Sequence, residues 1–497
     1  MPEEREIFVE GDAMKKILFR VSAFTLAIVI ICTVMPVRAA DFGMPGSCLV
    51  QTDSGASGAV KTLDYDYSRN TYVSLRDMAM IFRDTEKAFS LEVAKNAVSL
   101  NTGGIYTPVG SENIPWEDGE SRDVSLRRNE FQLDGQKVNY YTVIMELPSG
   151  GYDCFMMAAD LAMILDVDIT APETGVFRVN LQEPFDISPA KLEQEGYFYG
   201  VNSVLTGDAT TGEIYYRYQS DTAYPIASTS KLMTYLLTME AVSAGQISLD
   251  TEITVSENVQ LLAESDDGVI SLEAGEQITV RDLLLGALLP SSNECALCLA
   301  EAVAGTEEAF VGMMNRKAQE LGLSEAVFYN CNGLPCYTEG TVPAKRQNRM
   351  SAEDMFRLVS YLLKTYPQIT DITSMESAVL ESCDLEVQNT NPLLYNLPEA
   401  TGLKTGTTDR SGACLVTSLN VDDGTAEHDL VVIVLGAENS VDRGRASELL
   451  ARYAMRVFHG DTEKVEDGAA KQPSENLPVH AEAAVERILQ TAKNCFD

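Results

Sequence analysis

Ile226-Ala227-Ser228-Thr229-Ser230-Lys231-Leu232-Met233-Thr234 is the stretch on which the reading of this chain turns. It sets a hydroxyl and an amine three residues apart at the head of an apolar run that continues to Leu237. On a helix that spacing puts Ser228 and Lys231 on one face, about one turn apart. A serine hydroxyl is a weak nucleophile until a neighbouring base takes its proton. A lysine can serve as that base when burial and nearby cations lower its pKa. A helix N-terminus helps twice, disfavouring the ammonium and favouring alkoxide charge. The same residues also suit an ordinary helix start with Ser228 as its N-cap. The remainder of the chain decides between the two.

Two further short motifs follow in order. Ser291-Ser292-Asn293 comes after Pro290 and the apolar run Leu283 to Leu289. There a hydroxyl can relay a proton and an amide can hold a peptide group, although loop and capping chemistry would use the same residues. Lys404-Thr405-Gly406, extended by Thr407 and Thr408, reads as a strand, with Lys404 and Gly406 facing one way and Thr405 the other. Glycine lets a substrate backbone approach closely. Lysine offers a point charge for a carboxylate, and threonine a hydroxyl donor.

Together, the order and spacing of these motifs resemble the penicillin-recognising serine enzymes. The flanks are similar to the D-alanyl-D-alanine carboxypeptidase branch, the penicillin-binding proteins of the peptidase S11 type. Leu288-Leu289-Pro290-Ser291-Ser292-Asn293-Glu294 resembles that family's second motif, in which the middle residue is usually glycine and the last usually aspartate. Phe310-Val311, Met314-Asn315, Ala318, Leu321-Gly322, Phe328, Asn330 and Gly333-Leu334 match its next stretch in order. Thr401-Gly402-Leu403 leads into the third motif, and Ser411-Gly412-Ala413 follows it. The resemblance covers residues 198 to 458 or so.

It implies an α/β (α+β) domain of the serine β-lactamase and DD-peptidase kind, with a five-stranded antiparallel sheet and a helical subdomain carrying the second motif. It also implies roles. Ser228 is the acylated nucleophile, Lys231 its general base, and Ser291 the relay to the leaving group. Asn293 holds the substrate peptide, while Lys404, Thr405 and Thr407 hold its terminal carboxylate beside Gly406. The amides of Ser228 and Thr407 form the oxyanion hole. The implied reaction removes the terminal D-alanine from peptidoglycan stem peptides ending in D-Ala-D-Ala. β-Lactam antibiotics acylate the same serine, and no cofactor is involved. Ser292 in place of glycine would add a side chain beside the substrate. The segment Tyr337 to Arg349, with Lys345, Arg346 and Arg349, lies between matching stretches and reads as a solvated loop, or as a contact for anionic wall polymer.

Outside this unit the chain reads in three more parts. Residues 1 to 40 carry Met14-Lys15-Lys16, the apolar run Ile17 to Met35 and Val37-Arg38-Ala39. This is the pattern of an export signal cut after Ala39, with an uncleaved anchor as the alternative. Residues 41 to 185 hold a weak internal repeat. Tyr72-Val73-Ser74-Leu75-Arg76-Asp77-Met78-Ala79-Met80-Ile81-Phe82 is echoed by Cys154-Phe155-Met156-Met157-Ala158-Ala159-Asp160-Leu161-Ala162-Met163-Ile164. Each copy is a strand running into a helix, followed by strand-like residues. The pattern resembles the copper amine oxidase N-terminal-like module, a separate small α+β unit. The segment has no histidine, so that name brings no expectation of copper. The catalytic unit is placed at 197 to 460. Residues 461 to 497 form an acidic tail with a short amphipathic helix over Ala481 to Lys493.

Composition narrows the partners. A formal charge of -37 repels nucleic acid and anionic lipid, leaving a peripheral association with the wall or membrane surface outside the cell. Ten cysteines with no zinc-site spacing make a poor disulfide framework and leave no metal site; Cys331 and Cys336 are close enough to bridge. Three readings compete with the carboxypeptidase. A class A β-lactamase needs a deacylating glutamate in a Glu-x-x-Leu-Asn setting, and the comparable stretch reads Val327-Phe328-Tyr329-Asn330. A Ser-His-Asp hydrolase needs a histidine, and none lies between Ser228 and Lys404. The third is a catalytically silent wall-binding relative, which the intact motifs disfavour.

Overall fold

The computed structural model describes residues 42–65, 71–114, 122–123, 127–147, 150–170, 176–194, 197–198, 200–337 and 345–465. The expected leader and the tail helix lie outside the described residues. The leading segment opens with a long hairpin, β1 (Phe42–Thr52) and β2 (Ser57–Tyr65). Next, β3 (Thr71–Ser74) runs into α1 (Leu75–Phe82), and β4 (Phe89–Val93) and β5 (Ala97–Thr102) follow. The order then recurs. After β6 (Tyr141–Glu146), β7 (Tyr152–Met157) runs into α2 (Ala158–Leu165), followed by β8 (Asp168–Thr170) and β9 (Val176–Asn180). The two echoed stretches therefore fold alike. Their strands interleave in the sheet order β8-β9-β1-β2-β3-β7-β6, with β1 parallel to β9.

The second unit begins with the hairpin β10 (Ser203–Asp208) and β11 (Glu213–Tyr218). Then come the helices α3 (Lys231–Ser243), α4 (Val280–Leu288), α5 (Asn293–Ala304), α6 (Glu307–Glu320) and α7 (Ala352–Thr365). The strands β12 (Ala400–Thr408), β13 (Gly412–Asp422) and β14 (Glu427–Ala437) return before the closing helix α8 (Ser440–Phe458). They form the expected five-stranded antiparallel sheet, in the order β11-β10-β14-β13-β12. Most helix starts carry their own signal. Thr279, Ser292, Thr306 and Ser351 each accept a backbone N–H at the head of a helix, satisfying donors that have no partner inside it.

The central strand shows how the sheet joins two cores. Leu430, Val432 and Val434 fall in one buried cluster; Val431, Ile433 and Leu435 fall in the other. Alternate side chains point to opposite faces, so a strand covered on both sides reads as an unbroken aliphatic run. The second cluster joins α3, α4, α5 and α7. α3 is buried almost all round, as befits a helix inside the fold rather than on it. The first cluster continues through α8 into the leading segment, joining Leu450 and Tyr453 to Phe82, Phe131 and Leu161. The leading segment is thus packed into a shared core and not set apart, because α8 has an outer face that needs covering.

Ile433→Ala should destabilise the unit by about 2–5 kcal/mol in chemical denaturation, the usual cost of truncating a buried aliphatic side chain. Glu273→Ala, on an exposed loop, should change stability by under about 0.5 kcal/mol.

Candidate active site

The nucleophile stretch does not begin as an α-helix. Ala227–Ser230 is a tight 3-10 turn, and α3 starts only at Lys231. Ala227 sits at φ +46, a conformation non-glycine residues seldom adopt. The turn keeps Ser228 and Lys231 together without enlisting Ser228 as a cap: no side-chain cap bond is present, and Ser228 Oγ lies 2.9 Å from Lys231 Nζ.

Lys231 is the centre of the site. Its Nζ also lies 2.8 Å from Asn293 Oδ1, 3.2 Å from the Asn332 carbonyl and 3.5 Å from Ser291 Oγ. The side chain is 1% exposed, and burial brings its pKa down to about 7. Near neutrality the amine therefore exists in both forms, poised to take a proton from one hydroxyl and give one to another. The first and second motifs are thus brought together on one nitrogen.

The second motif divides its labour. Ser291 sits at φ +70, in the left-handed region, with its hydroxyl near Lys231. Such a conformation costs of order 1–3 kcal/mol and persists where the surroundings hold it. Asn293 donates Nδ2 to the Asp267 carbonyl at 2.8 Å, and Glu294 Oε1 accepts the amides of Val269 and Ile270. Those bonds pin the 267–270 loop beside the site. Ser292 corrects an expectation. Its side chain does not stand beside a substrate; it is fully buried and accepts the Cys295 N–H at 3.0 Å as the N-cap of α5.

β12 runs beside the 3-10 turn. A Cβ on Gly406 would come within 2.8 Å of the Ser228 amide nitrogen, so only glycine lets the strand lie against the nucleophile turn. Gly333, at φ +91, approaches from another side, where a Cβ would lie 1.9 Å from the Ala227 carbonyl. Lys404 is 1% exposed, and burial, followed by the charges of Lys231 and Arg443, pushes its pKa well down. An arriving carboxylate would raise it again. Thr405 is buried, its hydroxyl 2.5 Å from that of Thr390. Thr407 accepts a hydrogen bond from Arg443 Nη1 at 3.3 Å.

Several of these groups escaped the sequence reading. Arg443 lies far along the chain in an unremarkable helix and is identified only by its reach to Thr407. Asn332 contributes a backbone carbonyl, which no side-chain pattern advertises. The Tyr337 to Arg349 segment is also more than a solvated loop. Cys336–Tyr337 pairs with Lys345–Arg346, and Gln347 and Asn348 are buried. Asn348 Oδ1 accepts the amides of Tyr329 and Asn330, while its Nδ2 donates to Ser230 Oγ at 2.9 Å and the Asn330 carbonyl at 2.9 Å. Gln347 Nε2 donates to the Gly333 carbonyl at 3.2 Å and Thr408 Oγ1 at 2.7 Å. Together they tie the nucleophile turn to the end of β12. Residues 338–344 lie outside the described residues. Cys331 and Cys336 are free thiols: Cys331 Sγ is 3.1 Å from Glu307 Oε1, and Cys336 Sγ is 3.0 Å from Asn330 Nδ2. His428 turns Nδ1 to Asp208 at 2.8 Å.

Residues 199–439 match the family model described as D-alanyl-D-alanine carboxypeptidase. D-alanyl-D-alanine carboxypeptidase DacF of Bacillus subtilis (strain 168) is 34% identical over 259 residues, covering 52% of this chain and 62% of that protein. D-alanyl-D-alanine carboxypeptidase DacC of Escherichia coli (strain K12) is 30% identical over 256 residues, covering 50% and 60%. Among solved structures, a peptidoglycan synthesis regulatory factor (PBP3) from Streptococcus pneumoniae is 32% identical, with a TM-score of 0.47 over 52% of this chain and 71% of that one. The chain thus spans 62% and 60% of the length of the two curated relatives.

Proton transfer from Ser228 needs Lys231 neutral, so the rate of Ser228 acylation should rise with pH through about 7, the pKa to which burial brings the lysine. Lys231→Ala should slow it by about 10²–10⁴-fold, the usual worth of a positioned base. A stopped-flow pH profile checks both, and a profile flat between pH 5.5 and 8.5 at full rate would remove the lysine from that role.

Proposed function

We propose that this chain, whose residues 199–439 belong to the D-alanyl-D-alanine carboxypeptidase family, is a serine carboxypeptidase that trims the terminal D-alanine from peptidoglycan stem peptides. The observation that carries this reading is the buried Lys231 amine, 2.9 Å from Ser228 Oγ and 3.5 Å from Ser291 Oγ. One group touches both the nucleophile and the hydroxyl that would serve the leaving amine.

In this reading Lys231 takes the Ser228 proton as Oγ attacks the carbonyl carbon of the penultimate D-alanine. The amides of Ser228 and Thr407 stabilise the oxyanion, each donor being worth about 3–4 kcal/mol in such sites. The C–N bond then breaks, and the proton passes through Ser291 to the amine of the departing D-alanine. Water cleaves the ester, releasing the shortened peptide and restoring Ser228. Asn293 holds the peptide, while Lys404, Thr405, Thr407 and Arg443 receive its terminal carboxylate. That anion favours the charged form of Lys404, so binding and charging reinforce each other. A β-lactam, being a cyclic amide with a carboxylate nearby, enters the same path and stops at the ester.

The basic, apolar and small-residue order of positions 14 to 39 supports export, which places the enzyme on the outer face of the membrane or at the wall. The leading segment, residues 41 to 185, is proposed as a repeat module ahead of a catalytic unit at 197 to 460. No cofactor enters this chemistry.

Intact mass after mixing with benzylpenicillin, beside Ser228→Ala, tests the reading. A lasting one-to-one adduct absent from the variant, with D-alanine released from a D-Ala-D-Ala peptide, is the expected result. Rapid drug hydrolysis without an adduct would favour a β-lactamase. Neither adduct nor turnover would point to a silent wall-binding relative.

A further inference from the structure

One helix separates the leading segment from the site, and its two faces do different things. On α8, half-buried Val441 packs against a buried cluster of Leu63, Tyr72, Val143, Phe155 and Met157 of the leading segment. Arg445 Nε lies 3.5 Å from Asp160 Oδ1. Glu448 Oε1 accepts the Tyr140 hydroxyl at 3.2 Å, and Arg456 Nη1 donates to the Phe185 carbonyl at 3.1 Å. Positions 441, 445, 448 and 456 are spaced by four, three and eight, all close to whole turns, so they form one stripe, and the leading segment covers it. Arg443 lies two positions from both 441 and 445, on the opposite side, and donates to Thr407. The helix that carries the contact to the carboxylate-receiving strand is therefore held from behind by the leading segment.

The internal repeat shows the grip as a difference between its two copies. Asp77 and Asp160 occupy the same place in the two copies, each the third residue of its helix. A buried carboxylate must be paired or it is costly. Asp77 is paired inside the segment, taking Lys61 Nζ at 2.7 Å, the Lys61 amide at 2.8 Å and the Asn113 amide at 2.7 Å. Asp160, also buried, meets Arg445 of α8 instead. One copy closes on itself; the other uses the same position to seize the catalytic unit.

We propose that Asp160 and Tyr140 of the leading segment are positioning residues for the substrate's carboxylate, acting through α8 and Arg443 on Thr407. The proposal rests on the carboxypeptidase reading, in which Thr407 and Arg443 receive that carboxylate. It makes the leading segment part of the catalytic apparatus rather than a spacer.

The full chain with Asp160→Ala, and separately with the near-isosteric Tyr140→Phe, tests this, with Asp160→Glu as the conservative rescue. Two readouts are taken: hydrogen exchange in 440–446 and 404–408, and the kcat/KM ratio between a D-Ala-D-Ala peptide with a free carboxylate and its C-terminal amide. Asp160→Ala should speed exchange in both stretches. It should also lower the ratio by about tenfold, mainly through KM, the size expected for loosening a charged hydrogen bond. Tyr140→Phe should act more weakly in the same direction, and Asp160→Glu should recover most of both. Faster exchange in 440–446 with 404–408 and the ratio unchanged would overturn the proposal, leaving the segment merely attached. Unchanged exchange in 440–446 would overturn it too, because the helix would then not depend on the grip. A wild-type protein that releases no D-alanine would defeat the functional reading, while the exchange arm would still decide the coupling.

Discussion

A lysine sealed from water beside a serine is the constraint around which this protein is built. Burial makes the amine a usable base, yet an amine in a dry site must also find acceptors for its hydrogens. Asn293 Oδ1 and the Asn332 carbonyl supply them, one at the head of α5 and the other in the loop after α6. A shift of either element would cost the amine one of its acceptors. The loop in turn depends on Asn348, whose two amide ends together meet four partners. The helical subdomain, the nucleophile turn and the segment before α7 are thus fastened through the hydrogen-bond needs of one nitrogen. A serine could sit on many scaffolds; a buried lysine with satisfied hydrogen bonds demands this much supporting structure.

That the first two motifs meet was legible from the order and spacing of the three, although each motif alone suits ordinary capping or loop chemistry. Helix starts carry a local signal, since caps such as Thr306 and Ser351 mark where helices begin. What stayed hidden has common physical causes. Ser292 read as a substrate neighbour because a capping serine and a catalytic one look the same until the turn around them is known. Arg443 and Gln347 act across long sequence separations, where no periodicity links cause to effect. Asn332 works through its backbone, which carries no residue-specific signal. The parallel pairing of β1 with β9 closes a loop of the whole leading segment, and nothing local in either strand announces it.

The sheet also separates tasks by face. One face looks into the helical subdomain and holds the reacting groups with α3. The other rests on α8, and the leading segment rests on α8 in turn. The charged stripe on that helix would read as a solvated surface from sequence alone, since Arg445 and Glu448 are residue types seldom buried unless paired. They are buried because Asp160 and Tyr140, far earlier in the chain, arrive as partners for Arg445 and Glu448.

The aliphatic run of β14 has a further consequence for how the sheet finds its alignment. A slip of one residue would send each side chain of a strand to the opposite face. In most half-exposed strands that error is punished, since apolar groups would meet water. Here Leu430 to Leu435 is equally greasy on both sides, so hydrophobicity alone cannot tell right from wrong. The discrimination falls to the irregular places. The pairing breaks step between Thr206 and Gly207, between Ala400 and Gly402, and between Ala413 and Leu415. At Gly207 a Cβ would lie 2.3 Å from the Glu213 carbonyl oxygen, so the kink tolerates no other residue there. The core of the sheet is thus interchangeable in kind but blind to phase, and a handful of misfits in its ladder act as the notches that index it.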